Sequence, residues 1–192
     1  MLLFLNDQFN RLFSYLPRFK ILPVIPYDNS QLKEKNTFVS IPCQKQLKEL
    51  SFNFIFDYNI FPDNILTYRA EWQHSKRTMQ VNDTIVQQIF FPPHKILSQK
   101  IIVAVRIKEI FKQDDLIGFS YETLKGHMEK GISFFQISRT NNTLYFTVHT
   151  YSRASNLILE FLAPLFSSPY QDYCTKQALK NMLREFKKEN NH

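Results

Sequence analysis

The chain has 192 residues, an expectation of one domain with or without an extension, and 44% of them are hydrophobic, enough for a sizeable core. Its 24 basic and 17 acidic residues leave a formal charge of +7, too diffuse to point to nucleic acid but suited to approaching an anionic surface. Cys43 and Cys174 are far apart with no CxxC and no Cys/His cluster, and no apolar run reaches the roughly 18 residues of a membrane-spanning helix. A disulfide framework and a helical span are excluded. The opening residues also lack the basic region and small-residue cleavage site of a signal peptide, so the expected location is cytoplasmic.

Along the first 20 residues, Leu2, Leu5, Phe9, Leu12, Phe13 and Leu16 recur at helical spacing. They predict an amphipathic helix over 2–16 that Pro17 terminates. Pro23 and Pro26 keep the next stretch extended, and polar residues 28–48 read as a connecting segment. The N-terminal helix and linker, 1–48, are therefore expected as an appendage to a main domain over 49–190.

From residue 50 the pattern changes. "LSFNFIFDYNIF" alternates like a strand, and "PDNILTYRAEWQHSKR" opens with Pro62 and Asp63, good first-turn residues of a short helix. Runs rich in β-branched and aromatic residues follow at 83–91, 100–111, 116–124, 131–138 and 143–152, separated by short turn sequences. Short loops between consecutive strands imply an antiparallel meander. The end is helical, with one apolar stripe at Leu157, Ile158, Phe161, Leu162, Leu165 and Phe166 and another at Leu179, Met182, Leu183 and Phe186, divided by Pro164 and Pro169. This order gives an α+β fold: a curved antiparallel sheet of about six strands wrapped around a long C-terminal helix.

Every glycine of the chain lies in "GFSYETLKGHMEKG": Gly118, Gly126 and Gly131. Gly118 is read as a bend in a curved strand, and Gly126 and Gly131 as the two ends of a hairpin loop. The near match of "GFSYE" to a nucleophile elbow fails because Glu122 replaces the second glycine and no helix follows, so Ser120 is not read as catalytic. In this block, Gly118, Phe119, Tyr121, Gly126, His127, Glu129 and Gly131 resemble an uncharacterised bacterial and plant family, the domain-of-unknown-function family nineteen-ninety, also found attached to the membrane protein YndJ. The resemblance runs from about 50 to 187 and is best from 116 onward. Two departures stand out: Ile132 and Ser133 replace the family's acidic residues after the last glycine, and Ala154 replaces the proline closing its Phe-Ser-Arg-Pro motif. The element order also resembles the START/SRPBCC helix-grip superfamily, which implies an apolar ligand held between sheet and helix.

That arrangement organises the candidate residues. Tyr68, Trp72, Phe119, Tyr121, His127, Phe135, Tyr145, His149, Arg153 and Phe161 are the expected ligand-binding set, with His127, Glu129 and Arg153 orienting the ligand at the mouth and Arg153 offering a cation to a carboxylate or phosphate. With 19 phenylalanines, an interior filled by their side chains is the alternative. His127 and Glu129 sit between the glycines at the expected cavity mouth. They are the candidates for proton transfer, His127 as base and Glu129 as its partner, or else hydrogen-bond their own loop. No phosphate-cradling glycine motif and no paired metal-ligand spacing occurs, so neither a cofactor nor a metal is expected. The leading expectation is non-catalytic binding of an apolar or amphipathic small molecule, possibly a lipid. A cyclase- or hydrolase-type enzyme is the alternative. A module docking on protein or anionic membrane through the first helix and the basic last one, with Lys176, Lys180, Arg184, Lys187 and Lys188, is a third.

Overall fold

The computed structural model describes residues 1–94, 96–155 and 168–190. Its strands are β1 Leu2–Phe4, β2 Lys33–Pro42, β3 Leu66–Ala70, β4 Thr84–Phe91, β5 Gln99–Lys112, β6 Leu116–Thr123, β7 Glu129–Thr140 and β8 Thr143–Ala154. The helices are α1 Leu12–Lys20, α2 Asn53–Phe56, α3 Glu71–His74 and α4 Ser168–Asn190. All strands join one antiparallel sheet in the order β2-β8-β7-β6-β5-β4-β3, with β1 paired to the start of β5. The sheet therefore has eight strands rather than about six. The β4 to β8 meander stands where the alternating runs place it.

The corrections fall in the first 75 residues. Residues 2–16 do not form one helix: Leu2, Leu3 and Phe4 pair with Ile102, Ile101 and Lys100, and the helix starts only at Leu12. Pro17 lies inside α1 rather than ending it, past the first turn, so it removes the bond that would run back to the Phe13 carbonyl. The presumed linker contains β2, a ten-residue strand pairing with β8 along its whole length. The sheet thus draws strands from both sides of residue 48. "LSFNFIF" contains the short helix α2, whose N-terminal backbone N–H groups of Asn53 and Phe54 are capped at 2.9 and 2.8 Å by the carboxylate of Glu189 at the far end of α4. The sequence read as a helix from residue 62 yields β3 first, with the helical turn α3 only at 71–74.

Each face of the sheet has its own cover. On the outer face α1 lays Leu12, Leu16 and Phe19 over Val86, Ile102, Ala104 and Leu124. On the inner face α4 buries Ala178, Leu179, Met182 and Phe186 against a larger core that includes Phe52, Phe54, Ile85, Val105, Phe119, Phe135, Phe146 and Val148. Lys176, Lys180, Arg184, Lys187 and Lys188 line the solvent side of α4. A curved antiparallel sheet holding a long C-terminal helix is the helix-grip architecture.

Two glycines let the sheet bend. Gly118 and Gly131 lie within β6 and β7 at φ +152° and +143°. A Cβ on Gly131 would stand 2.0 Å from the carbonyl oxygen of Tyr151, and one on Gly118 would stand 2.1 Å from that of Phe135. Close passage of the neighbouring strand, rather than a loop, therefore requires Gly131; only Gly126 sits in the β6–β7 turn. Ser120 faces outward in mid-strand, buried and away from His127 and Glu129.

Candidate functional site

Strand alternation turns Tyr68, Gln87, Phe119, Tyr121, Ser133 and Phe135 toward the inside. They do not enclose an empty hollow in the middle of the sheet. Tyr58, just after α2 and at φ 62°, projects among them. Its ring centroid lies 4.9 Å from that of Tyr68, 5.9 Å from Phe119, 6.3 Å from Tyr121 and 6.5 Å from Phe135. Gln87 Nε2 donates to its hydroxyl at 2.6 Å. Burial raises the pKa of the Tyr58 and Tyr121 phenols, which stay neutral. Four of the expected ligand contacts, Tyr68, Phe119, Tyr121 and Phe135, are thus brought together, but as a packed aromatic core around Tyr58. Trp72 in α3 joins the same core, 3% exposed.

The polar groups gather instead at one end of the sheet, beneath the first turns of α4. Glu129, the first residue of β7, shares its inward parity with Ser133 and Phe135. Its carboxyl group accepts a hydrogen bond from Gln171 Nε2 of α4 and another from Ser152 of β8. Although the residue keeps some exposed surface, the carboxyl is withdrawn from water, and that burial raises its pKa against the pull of the Gln171 and Ser152 hydrogen bonds. Lys35 reaches in from β2 and is ion-paired with Asp172. Tyr170 donates to the carbonyl of Phe90 at 3.1 Å and stands edge-on to Phe91 at 5.1 Å. Burial pushes the neighbouring Cys174 thiol up to about 11, so it is no nucleophile at neutral pH. Beside this cluster, Ile101, Val103 and Met128 are buried with the partly exposed Ile89, Phe91 and Ala154 packed on them. A carboxyl, an amide, hydroxyls and an ammonium thus converge next to an apolar patch that is only half covered.

The model of the family described as a domain of unknown function, DUF1990, matches residues 51–181. The chain belongs to this family. No curated protein matches it. In fold it is similar to hypothetical protein jhp0584 from Helicobacter pylori, at TM-score 0.54 and 10% identity over 86% of this chain and 97% of that one. It is also similar to norcoclaurine synthase from Thalictrum flavum in complex with dopamine and hydroxybenzaldehyde, at TM-score 0.45 and 8% identity over 85% of this chain and 96% of that one. At such identities the likeness concerns fold alone. The DUF1990 match takes in β3 to β8, the glycine block and the Glu129 end of α4, and leaves β1, α1 and β2 before it.

In this DUF1990 domain His127 and Glu129 do not form an imidazole–carboxylate couple. His127 Nδ1 lies 3.0 Å from the backbone nitrogen of Glu129 and 3.1 Å from its carbonyl oxygen, so in either tautomer this ring nitrogen is engaged by backbone. Burial lowers the His127 pKa from 6.5 to about 4. The ring fixes its own turn, helped by Ser155 Oγ donating to the His127 carbonyl at 2.6 Å.

Tyr145, His149 and Arg153 alternate with the inward Leu144, Phe146, Val148 and Ser152 and so lie on the outer face. Tyr145 meets the exposed Phe38, and His149 Nε2 lies 2.8 Å from Glu34 Oε1. Phe161, with the stripe from Leu157 to Phe166, lies outside the described residues. Sequence reading missed Tyr58, Gln87, Lys35 and Gln171. Lys35 had a signal in the alternation of "KEKNTFVSI", where Lys35, Thr37, Val39 and Ile41 share one face. Among the described residues, no group of three or more His, Cys, Asp or Glu side chains is placed to hold a metal, and no helix is long and apolar enough to cross a membrane.

Proposed function

We propose that the domain binds an apolar or amphipathic small molecule at the Glu129 end of the grip without transforming it. The ligand's apolar part rests on Ile89, Phe91 and Ala154, and its polar group meets Glu129 and Gln171. The observation that carries this reading is the Glu129 carboxyl, drawn from water beside a half-covered apolar patch with several hydrogen-bonding groups converging on it. Withdrawing a carboxyl from water costs stability, and such groups in clefts mark sites. The commitment of His127 Nδ1 to backbone, together with its lowered pKa, favours binding over a His127-driven proton transfer.

Native mass spectrometry of the freshly purified protein, followed by organic extraction, tests this directly. The expected result is a stoichiometric apolar molecule that Ala154→Trp displaces and that Glu129→Leu binds about tenfold more weakly, the scale of one good hydrogen bond to a charged or buried polar group. A clean apo mass, unchanged after incubation with lipids and small metabolites, overturns it.

A further inference from the structure

The end of the sheet that carries Glu129 also exposes four aliphatic side chains. Ile96 and Leu97, in the β4–β5 connection, are 81% and 78% exposed. Leu3 and Leu5 are 56% and 78% exposed, and the pairing of Leu3 with Ile101 and Phe4 with Lys100 sets them beside the start of β5. Segments more than 90 residues apart in sequence thus present their aliphatic tips at one edge. The tips rest on fixed structure. Leu2 and Phe4 pack into the cluster under α1, and the buried Lys100 Nζ donates to the carbonyl of Ser98 at 2.7 Å, bracing the connection from below.

The surroundings decide the partner. Antiparallel pairing brings the start of β2, the β6–β7 turn, the start of β7 and the end of β8 to this same end. They carry Lys33, Lys125, Lys130 and Arg153 against two acids, Glu129, which is turned inward, and Glu34, which is exposed and pairs with His149. Protein interfaces concentrate their energy in Tyr, Trp and Arg anchors seated in well-packed pockets. Here the exposed tips are wholly aliphatic and the same end of the sheet carries more cations than acids, the pattern that inserts into the acyl boundary of an anionic bilayer while lysines meet headgroups.

We infer that this end of the domain docks on anionic membranes, with Leu3, Leu5, Ile96 and Leu97 entering the lipid and the lysines contacting phosphate. The inference goes beyond ligand binding and uses neither α1 nor the basic face of α4. It also places the apolar patch beside Phe91 next to the bilayer surface.

Flotation of the full chain with phosphatidylcholine vesicles containing about 30% phosphatidylserine, against phosphatidylcholine alone, provides the test. Wild-type protein floats with the anionic vesicles, and less so as salt is raised. Leu5→Ser/Ile96→Ser/Leu97→Ser, which alters exposed side chains only, lowers the bound fraction at least tenfold. Lys125→Glu/Lys130→Glu also lowers it, whereas Lys180→Glu/Lys187→Glu on α4 does not. Absence of binding to anionic vesicles overturns the inference. So does undiminished binding by the Ser variant, or binding lost through the α4 changes instead. Self-association abolished by the Ser variant without vesicle binding would reassign the tips to a second copy of the chain and overturn it as well. None of these outcomes bears on the extraction experiment, so failure of one reading leaves the other standing.

Discussion

Protonating His127 puts a charge into a buried turn. Burial of the ring outweighs the Glu129 carbonyl 3.1 Å from Nδ1 and disfavours the imidazolium, so the folded pKa is about 4 while the unfolded chain keeps 6.5. Between those values the unfolded state binds a proton that the folded state refuses, and stability falls as the pH drops. The span from 6.5 to about 4, at about 1.4 kcal/mol per unit, is worth about 3 kcal/mol. For a chain of this size that is a fall in Tm of about 6–12 °C. Glu129 acts in the opposite direction. Its raised pKa makes the folded state take up a proton before the unfolded one does, so its contribution improves as the pH falls toward the usual carboxylate range. The wild-type curve alone therefore mixes two opposed titrations. His127→Asn separates them, since an Asn oxygen can accept the Glu129 N–H two residues on. Urea unfolding of both proteins from pH 7.5 to 4.5 gives the difference. Relative to the variant, wild type should lose stability only below pH 6.5 and by up to about 3 kcal/mol. A difference that stays flat across the range, or a His127 ring that titrates near 6.5 by NMR, refutes the reasoning.

Tyr58→Phe keeps the ring contacts with Tyr68, Phe119 and Phe135 but removes the buried hydroxyl that accepts from Gln87 Nε2 and bonds Tyr121. The expected cost is about 1–3 kcal/mol, read as a lowered urea midpoint at unchanged slope. Gly131→Ala forces a Cβ toward the Tyr151 carbonyl at φ +143°. It should destabilise by at least about 2–3 kcal/mol. Gly126→Ala, at φ +89° in the exposed β6–β7 turn with the Met1 nitrogen 2.6 Å from the added Cβ, should also destabilise but by less, since the chain terminus can shift. Thermal unfolding of the pair checks the ranking.

Alternation carried the sequence reading wherever strands were consecutive. From Thr84 to Ala154 each run becomes a strand, and parity places Phe119, Tyr121 and Phe135 on the inner face. It failed where partners are distant. Nothing local to "KEKNTFVSI" says that it completes a sheet with residues 143–152, and its charges look like those of a linker; only pairing with β8 makes it a strand. Leu2 to Phe4 obey a helical period yet pair with β5, because burial beside Ile102 outweighs a short helical preference. The glycine block pointed to the end of the sheet proposed here as the site, and His127 and Glu129 both lie there. Of the two readings of the pair, His127 follows the one in which it hydrogen-bonds its own loop. Gln171 was out of reach of any reading, since it meets Glu129 only through tertiary packing, and the alternation around Lys35 gives its face but not its neighbour Glu129. The expected aromatic lining became core because Tyr58, held by a turn that the sequence shows only as "DYN", supplies the missing ring.

The pairing of β2 with β8 has a consequence for how the protein is made. On the ribosome Lys33 to Pro42 emerge long before Thr143 to Ser152, their register partners. At the usual 5–20 residues per second the wait is on the order of 5–20 s. During that interval a strand with alternating Thr37, Val39 and Ile41 has no native neighbour, and sheet closure must await a contact that spans most of the chain. Lys33 and Lys35 sit at the head of this strand, where charge discourages pairing with the wrong chain. The residues that look most like a solvated linker are, on that account, a guard over a strand that waits unpaired while most of the chain is made.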